Sequence, residues 1–555
     1  MTGIHFSEDQ RVKHLVRRYI YGATLLAVLL LLAIFIHGTG TDRSAPATTG
    51  AAETSACLAL REMDLSGVQD APTEVESSKM VEASNESPAF CKVVAYVNPR
   101  VGIEVHLPLV NNWNGKLLTV GNGGWAGTIN GEACDQNVTR GYACVTTDTG
   151  HRGRGDDGLW AVHDLEAQVD FGYRAIHVAT LAAKSIVSRY YTKDAQRAYF
   201  MGCSTGGYQG LVAAQRFPWD FDGIIAGAPD MDEADLTMRE LWDQKSFLDK
   251  AGEPILDAGA LKLLHQAALD QCDMDDGVKD GLISNPIGCA LDPTRLLCKQ
   301  GETQGCLNAS QAEAAKRIYS GPPHVQERAI RGALAGSETM WHFGRGTKYY
   351  DSLFQYMIYG ATPAWTAATY DFEHDYKRLG MGALYTDTNP DLRRFKAAGG
   401  KLLVYQGGND LTEMPTAIVD YYQTVEKVMG GREPTQDFFR LFIVPGMNHC
   451  GGGVGAYAID YLSYLEAWVE RNQSPATMLG AHVSESYLAS LPLPSGQPAP
   501  ATTEARIAAA GGRLRFPLDP TIPVTFTRSM YPYPQFATYA GGDPNHASSF
   551  RSAQP

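Results

Sequence analysis

The run Ala198-Tyr199-Phe200-Met201, followed by Gly202-Cys203-Ser204-Thr205-Gly206-Gly207, restricts the fold more than any other stretch of the chain. A short apolar segment enters it and a helical pattern, Tyr208–Arg216, leaves it. Small residues two before and two after a serine permit a sharp strand-to-helix turn in which bulkier side chains would collide. Such a turn lifts the Ser204 hydroxyl above a sheet edge and aims the next backbone N–H, that of Thr205, at the same space. The competing reading is a tight βα turn carrying an inert serine. An acid and a base following in the right order and context separate the two.

Both follow. Strand-like runs at Val101–Leu107, Lys116–Val120, Tyr142–Thr147 and Phe221–Ala226 surround the Ser204 turn, and a helical pattern covers Ala161–Tyr191. After a long break the rhythm resumes at Lys401–Tyr405 and Phe439–Val444, with a helical pattern at Val454–Arg471. Strands alternating with helices predict a parallel sheet with right-handed crossovers. Asp410 stands in the loop after the first late strand and His449 in the loop after the second. That is the chain order of an α/β-hydrolase, with nucleophile first, then acid, then base. In this reading His449 takes the proton of Ser204, and Asp410 holds the imidazole tautomer and stabilises the imidazolium. The second oxyanion donor is expected from the glycine-rich stretch Gly121–Gly127, which directly follows Lys116–Val120. Gly124 is the chosen residue there, with Gly123 left open as the alternative.

The predicted organisation is an export segment or membrane anchor with linker over 1–52 and a first core part over 53–228. A lid domain over 229–390 follows, and then a second core part with a tail over 391–555. The tail from Leu491, rich in Pro, Ala and Gly, is expected to run as coil. Arg11, Lys13, Arg17 and Arg18 precede an uncharged run from Tyr19 to Ile36, which reads either as a cleaved signal or as a retained bilayer anchor. Either way the remainder is expected to be secreted or periplasmic. A net charge of −14 excludes the basic footprint that nucleic acid requires.

Ten cysteines in an exported chain read as disulfides, and none forms a CxxC pair. They are Cys57, Cys91, Cys134, Cys144, Cys203, Cys272, Cys289, Cys298, Cys306 and Cys450. One pairing follows from the site itself. If Ser204 and His449 meet, their neighbours Cys203 and Cys450 fall within bridging range, closing a loop of about 250 residues. Spacing does not decide the remaining pairs.

With Cys-Ser, Asp and His-Cys in this order, the chain resembles the tannase and feruloyl esterase family. Trp113-Asn114-Gly115-Lys116, Gly121–Gly127, Thr147–His151, Asp170–Arg174 and Tyr531–Gln535 carry the likeness along most of the exported chain. The resemblance implies hydrolysis of aromatic-acid esters such as gallates or hydroxycinnamates, through an acyl-enzyme beneath a lid. It extends to bacterial enzymes acting on a terephthalate monoester. Left open are an aliphatic or polyester esterase on the same fold and an inactive binding protein. The acid loop departs from the family's common His-Gly-Trp-Ala-Asp-Pro, reading Gln406-Gly407-Gly408-Asn409-Asp410-Leu411 here. Met530 and Ser552 stand where members often carry two more cysteines.

In the lid, Asp273, Asp276 and Asp280 with the carbonyls of Val278 and Leu282 supply the oxygen shell that a hard cation prefers. Ser284 occupies the twelfth position, so the loop is no EF-hand. The resemblance implies structural calcium (Ca2+) here, remote from the chemistry, with Cys272–Cys289 stapling the loop and Cys298–Cys306 closing a smaller one. Aromatics around Tyr349–Tyr370, including Trp365, are expected to pack rather than line a substrate pocket.

Overall fold

The computed structural model describes residues 47–84, 87–125, 127–322, 332–341, 351–360, 365–372, 374–375, 380–491 and 514–555. The basic and apolar N-terminal segment and Tyr349 lie outside the described residues. No helix among the described residues is long and apolar enough to cross a membrane. Residues 54–555 form one compact unit.

A nine-stranded sheet organises that unit, in the order β1-β2-β3-β5-β4-β6-β7-β8-β9. Its strands are β1 (Thr73–Val81), β2 (Phe90–Val97), β3 (Val101–Pro108), β4 (Lys116–Val120), β5 (Ala143–Thr147), β6 (Arg197–Ser204), β7 (Gly223–Pro229), β8 (Lys401–Gly407) and β9 (Phe439–Val444). From β5 through β9 every pairing is parallel. The expected all-parallel sheet needs correction at one edge, where β1, β2, β3 and β5 pair antiparallel. Short connections explain the difference. Only three residues separate β2 from β3, too few for a crossover helix, so the chain doubles back on itself.

The continuous apolar runs of β6 to β9 have a physical cause, because helices cover both faces of the parallel strands. Tyr199, Ile225, Leu403 and Tyr405 face a cluster built with Leu462, Leu465 and Trp468 of the helix Tyr461–Arg471. Their neighbours Phe200, Ile224, Leu402 and Val404 face the opposite cluster, with Leu211 of the helix Thr205–Arg216 and Ile418, Tyr422 and Val425 of the helix Pro415–Met429. Alternate residues thus enter separate cores. The helical pattern at 161–191 resolves into a 3₁₀ turn, Leu159–Ala161, the helix Leu165–Val169, a π turn, Asp170–Arg174, and the long helix Ala175–Tyr191.

The insertion leaves the sheet after β7 and returns at β8, and those two strands are neighbours. It therefore rises from the end of the sheet that carries Ser204 without adding a strand to it. The C-terminal tail is not coil throughout. β10 (Met478–Val483) pairs with β11 (Val524–Met530), and β12 (Phe536–Tyr539) with β13 (Phe550–Ala553). Within them Met530 lies opposite Met478 and Ser552 opposite Ala537.

All ten cysteines are paired, as Cys57–Cys91, Cys134–Cys144, Cys203–Cys450, Cys272–Cys289 and Cys298–Cys306.

Candidate active site

Ser204 ends β6 and caps the helix Thr205–Arg216 with φ 64° and ψ −129°. A non-glycine residue in that region is strained, and such strain persists only where the surroundings impose it. The turn is too tight for side chains on either flank. A Cβ on Gly202 would lie 2.6 Å from the Gly206 backbone, and one on Gly206 would lie 2.9 Å from Asn122 O. The second contact shows that the glycine-rich loop packs directly on the serine turn.

Hydrogen bonds fasten that loop. Gly121 N–H donates to Met201 O at 2.9 Å, Asn122 N–H to Gln209 Oε1 at 3.0 Å, and Asn122 Nδ2 to Thr147 O at 2.8 Å. Gly124 has φ +56°, and a Cβ there would lie 2.6 Å from Gly155 O. Thr205 Oγ1 lies 3.1 Å from Gly124 O and 3.1 Å from Asp230 Oδ2 and shares its one hydrogen between them, linking the two residues expected to bind the oxyanion. Trp125 N–H is engaged by Gly155 O at 3.0 Å. Beneath the loop, His151 Nε2 lies 2.9 Å from Trp125 O, and its ring stacks on Trp160. Because the carbonyl can only accept, Nε2 carries the hydrogen. Burial depresses His151 to about 4, so this ring is a neutral buttress.

His449 Nδ1 is 2.9 Å from Asp410 Oδ2, a buried carboxylate with 2% exposure. The other Asp410 oxygen accepts the N–H groups of Thr412 at 2.9 Å and Glu413 at 3.0 Å. Gln406 Nε2 donates 2.9 Å to Asp410 Oδ2 and 2.8 Å to Glu413 O. Gln406 is one of the residues where the loop departs from the family's common pattern, and its support of the acid was not legible from spacing. Arg239 adds to that support from the helix Glu233–Phe247, donating to Leu411 O at 2.6 Å and Thr412 O at 3.0 Å. At His449, burial works to lower the imidazole pKa. The Asp410 charge and hydrogen bond outweigh it, so the ring sits above its ordinary value.

The Cys203–Cys450 bridge, with Cα atoms 5.9 Å apart, ties the residue before Ser204 to the residue after His449. No hydrogen bond links Ser204 Oγ to His449 in this structure. Such contacts are often long before substrate binds. The geometry therefore joins Asp410 to His449 directly and His449 to Ser204 through the chain and the disulfide.

The acidic loop folds back on its own carboxylates. Asp273 and Asp276 are 2% and 3% exposed, and all candidate donors are oxygens, which suits a hard cation chemically. The carboxylates engage the loop itself. Asp273 accepts the N–H groups of Asp280 and Gly281, and Asp276 accepts those of Val278 and the Ser284 hydroxyl, while Asp280 pairs with Arg528 at 2.6 Å. Among the described residues no three His, Cys, Asp or Glu side chains are gathered as metal ligands. The described lid aromatics pack on one another, with Phe354 5.0 Å from Trp365 and 5.1 Å from Tyr370 between ring centroids.

A parallel sheet covered on both faces, with a strained serine at a strand-to-helix turn and a His–Asp pair on two later loops, defines an α/β-hydrolase. A family model described as tannase and feruloyl esterase matches residues 84–358 and 359–553. The chain belongs to that family and is a carboxylic ester hydrolase. It is 31% identical over 492 residues to a probable feruloyl esterase of Arthroderma benhamiae, covering 82% of this chain and 83% of that one. It is 29% identical over 593 aligned residues to a mono(2-hydroxyethyl) terephthalate hydrolase of Piscinibacter sakaiensis, covering 91% and 92%. The crystal structure of feruloyl esterase B from Aspergillus oryzae shares the fold with a TM-score of 0.74 at 24% identity, over 90% of this chain and 100% of that chain.

Proposed function

We propose that the protein is an exported serine esterase that cleaves esters of aromatic carboxylic acids through an acyl-enzyme on Ser204. His449 Nε2 takes the Ser204 proton as Oγ attacks the ester carbon. Asp410 keeps Nδ1 protonated and stabilises the imidazolium. The N–H groups of Thr205 and Gly124 receive the oxyanion, and each such donor is worth roughly 10²- to 10³-fold in rate. His449 then protonates the departing alcohol, and water attacks the acyl-enzyme by the same route in reverse.

One observation carries this reading. The Asp410–His449 pair is covalently tied to the Ser204 turn through Cys203–Cys450. Five disulfides support export, since reducing compartments keep thiols unpaired. Similarity to a feruloyl esterase and to a terephthalate-monoester hydrolase supports an aromatic acyl group. On matched ethyl esters, kcat/KM for a hydroxycinnamate, a gallate or a terephthalate monoester should exceed that for a hexanoate by at least about tenfold. Equal or higher rates on the aliphatic ester would overturn the aromatic assignment.

Calcium in the loop of Asp273, Asp276, Val278, Asp280 and Leu282 belongs to the same proposal. Bound there it would supply charge to buried carboxylates and brace the lid, with no part in the chemistry. A chelator should lower Tm, with recovery on adding calcium but not magnesium, because the larger ion tolerates an irregular oxygen shell. An unchanged Tm would remove calcium from the account.

A further inference from the structure

Behind the oxyanion turn lie three carboxyl groups that the mechanism does not use. Asp230 follows β7, Glu233 opens the helix Glu233–Phe247, and Glu413 lies three residues beyond Asp410; their exposures are 1%, 1% and 2%. Glu233 and Glu413 each meet Asp230 carboxyl to carboxyl. Asp230 Oδ1 and all four carboxyl oxygens of the two glutamates are buried with no N–H or O–H donor from the rest of the protein. Carboxylate oxygens only accept, so contacts of this kind bind only when a hydrogen sits between them. Two contacts need two hydrogens. Burial first, then the Asp230 charge, pushes Glu233 and Glu413 well above the usual carboxylate range, which places those hydrogens on the glutamates.

Asp230 touches the site on two sides. Thr205 Oγ1 lies 3.1 Å from Asp230 Oδ2, so the residue expected to bind the oxyanion hangs from this cluster. Glu413, which meets Asp230 with its side chain, donates its backbone N–H to Asp410 Oδ1 at 3.0 Å. The charges of Asp410, first, and of Asp230 favour the protonated form of His449. Burial pushes Glu240 up to about 8 and Asp387 well above the usual carboxylate range, so both neighbours of the cluster hold their protons at neutral pH, while Arg239 is paired with Asp243 at 2.6 Å.

Resting on the triad reading above, we propose that Asp230 is a positioning residue, a second buried carboxyl group that accepts hydrogens from Glu233 and Glu413 and shares that of the Thr205 hydroxyl. It orients the oxyanion turn, braces the acid loop and adds to the stabilisation of the His449 imidazolium.

Two measurements test this. Infrared spectra at neutral pH, taken on the inactive Ser204→Ala background, should show the carbonyl stretch of protonated carboxylic acids, diminished in Glu233→Gln and again in Glu413→Gln. This arm needs no catalysis and is independent of the triad reading. In the active protein, Asp230→Asn should lower kcat by about tenfold with little change in KM. Asp230 favours the protonated imidazole, so its loss should move the acid limb of kcat/KM to lower pH. Glu413→Gln keeps a donor to Asp230 and should leave that limb in place, whereas Glu413→Leu should not. A protonated-acid band unchanged by Glu233→Gln and Glu413→Gln, or an unmoved limb in Asp230→Asn, would overturn the proposal.

Discussion

Ser204→Ala should lower kcat on any ester by roughly 10⁴- to 10⁶-fold while changing KM little. The expectation follows from division of labour at the site. Binding surfaces and oxyanion donors stay in place without the hydroxyl, so substrate still docks, but nothing remains for His449 to deprotonate. Residual turnover comes from water and the preorganised donors alone. A companion variant separates chemistry from fold. Ser204 sits at φ 64° and ψ −129°, a conformation costly to a residue with a Cβ and cheap for glycine. Ser204→Gly should therefore be equally inactive yet no less stable, by chemical denaturation, than Ser204→Ala, with a gain on the order of 1 kcal/mol. Activity of Ser204→Ala within about tenfold of the wild type would remove Ser204 from the nucleophile role.

The parts of the site legible in the sequence are those fixed by local geometry. The elbow needs Gly202 and Gly206 because backbone approaches both within 3 Å, and a constraint of that kind leaves a pattern in consecutive residues. Asp410 and His449 are legible because parallel strands deliver their following loops to one end of the sheet. The sheet's edge was less so. β1 carries exposed Glu74 and Glu76 and breaks its alternation at a bulge between Val75 and Ser77, so no clean period survives. In the tail, most of β11 is exposed or half-buried, and such a strand has little apolar signature to detect. Support for the acid was hidden for a different reason. Gln406 reads as a departure from the family's usual histidine until its amide is seen bridging Asp410 and Glu413 O. The Asp230 cluster gathers residues from after β7 and from the acid loop, with the insertion between them, and no spacing rule anticipates such a contact.

Cys203→Ser combined with Cys450→Ser should cost more stability than removal of any other bridge, and should cost activity as well. The bridge spans 247 residues of sequence, against 34 for Cys57–Cys91 and 17 or fewer for the rest. In the chain-entropy model a loop of that length is worth about 5 kcal/mol and a loop near ten residues about 3 kcal/mol. The insertion lies inside the long loop, so reduction frees the unfolded chain to explore conformations that the intact bridge forbids. Activity depends on the same bond for a second reason. Ser204 and His449 are not hydrogen-bonded to each other, and Cys450 holds the His449 loop at φ 61°, a left-handed conformation rare for a residue with a side chain. Without the bond that loop is free to relax, and Nε2 drifts from Oγ while its pairing with Asp410 survives. The double variant should then show a lowered Tm together with a kcat reduced by on the order of 10²-fold, the loss expected when reacting groups shift by about 1 Å. KM on the same ester should change far less. Removing Cys134–Cys144 serves as the control, lowering Tm modestly with kcat intact. Equal kcat in the two double variants would show that the Cys203–Cys450 bridge stabilises the fold without aligning base and nucleophile.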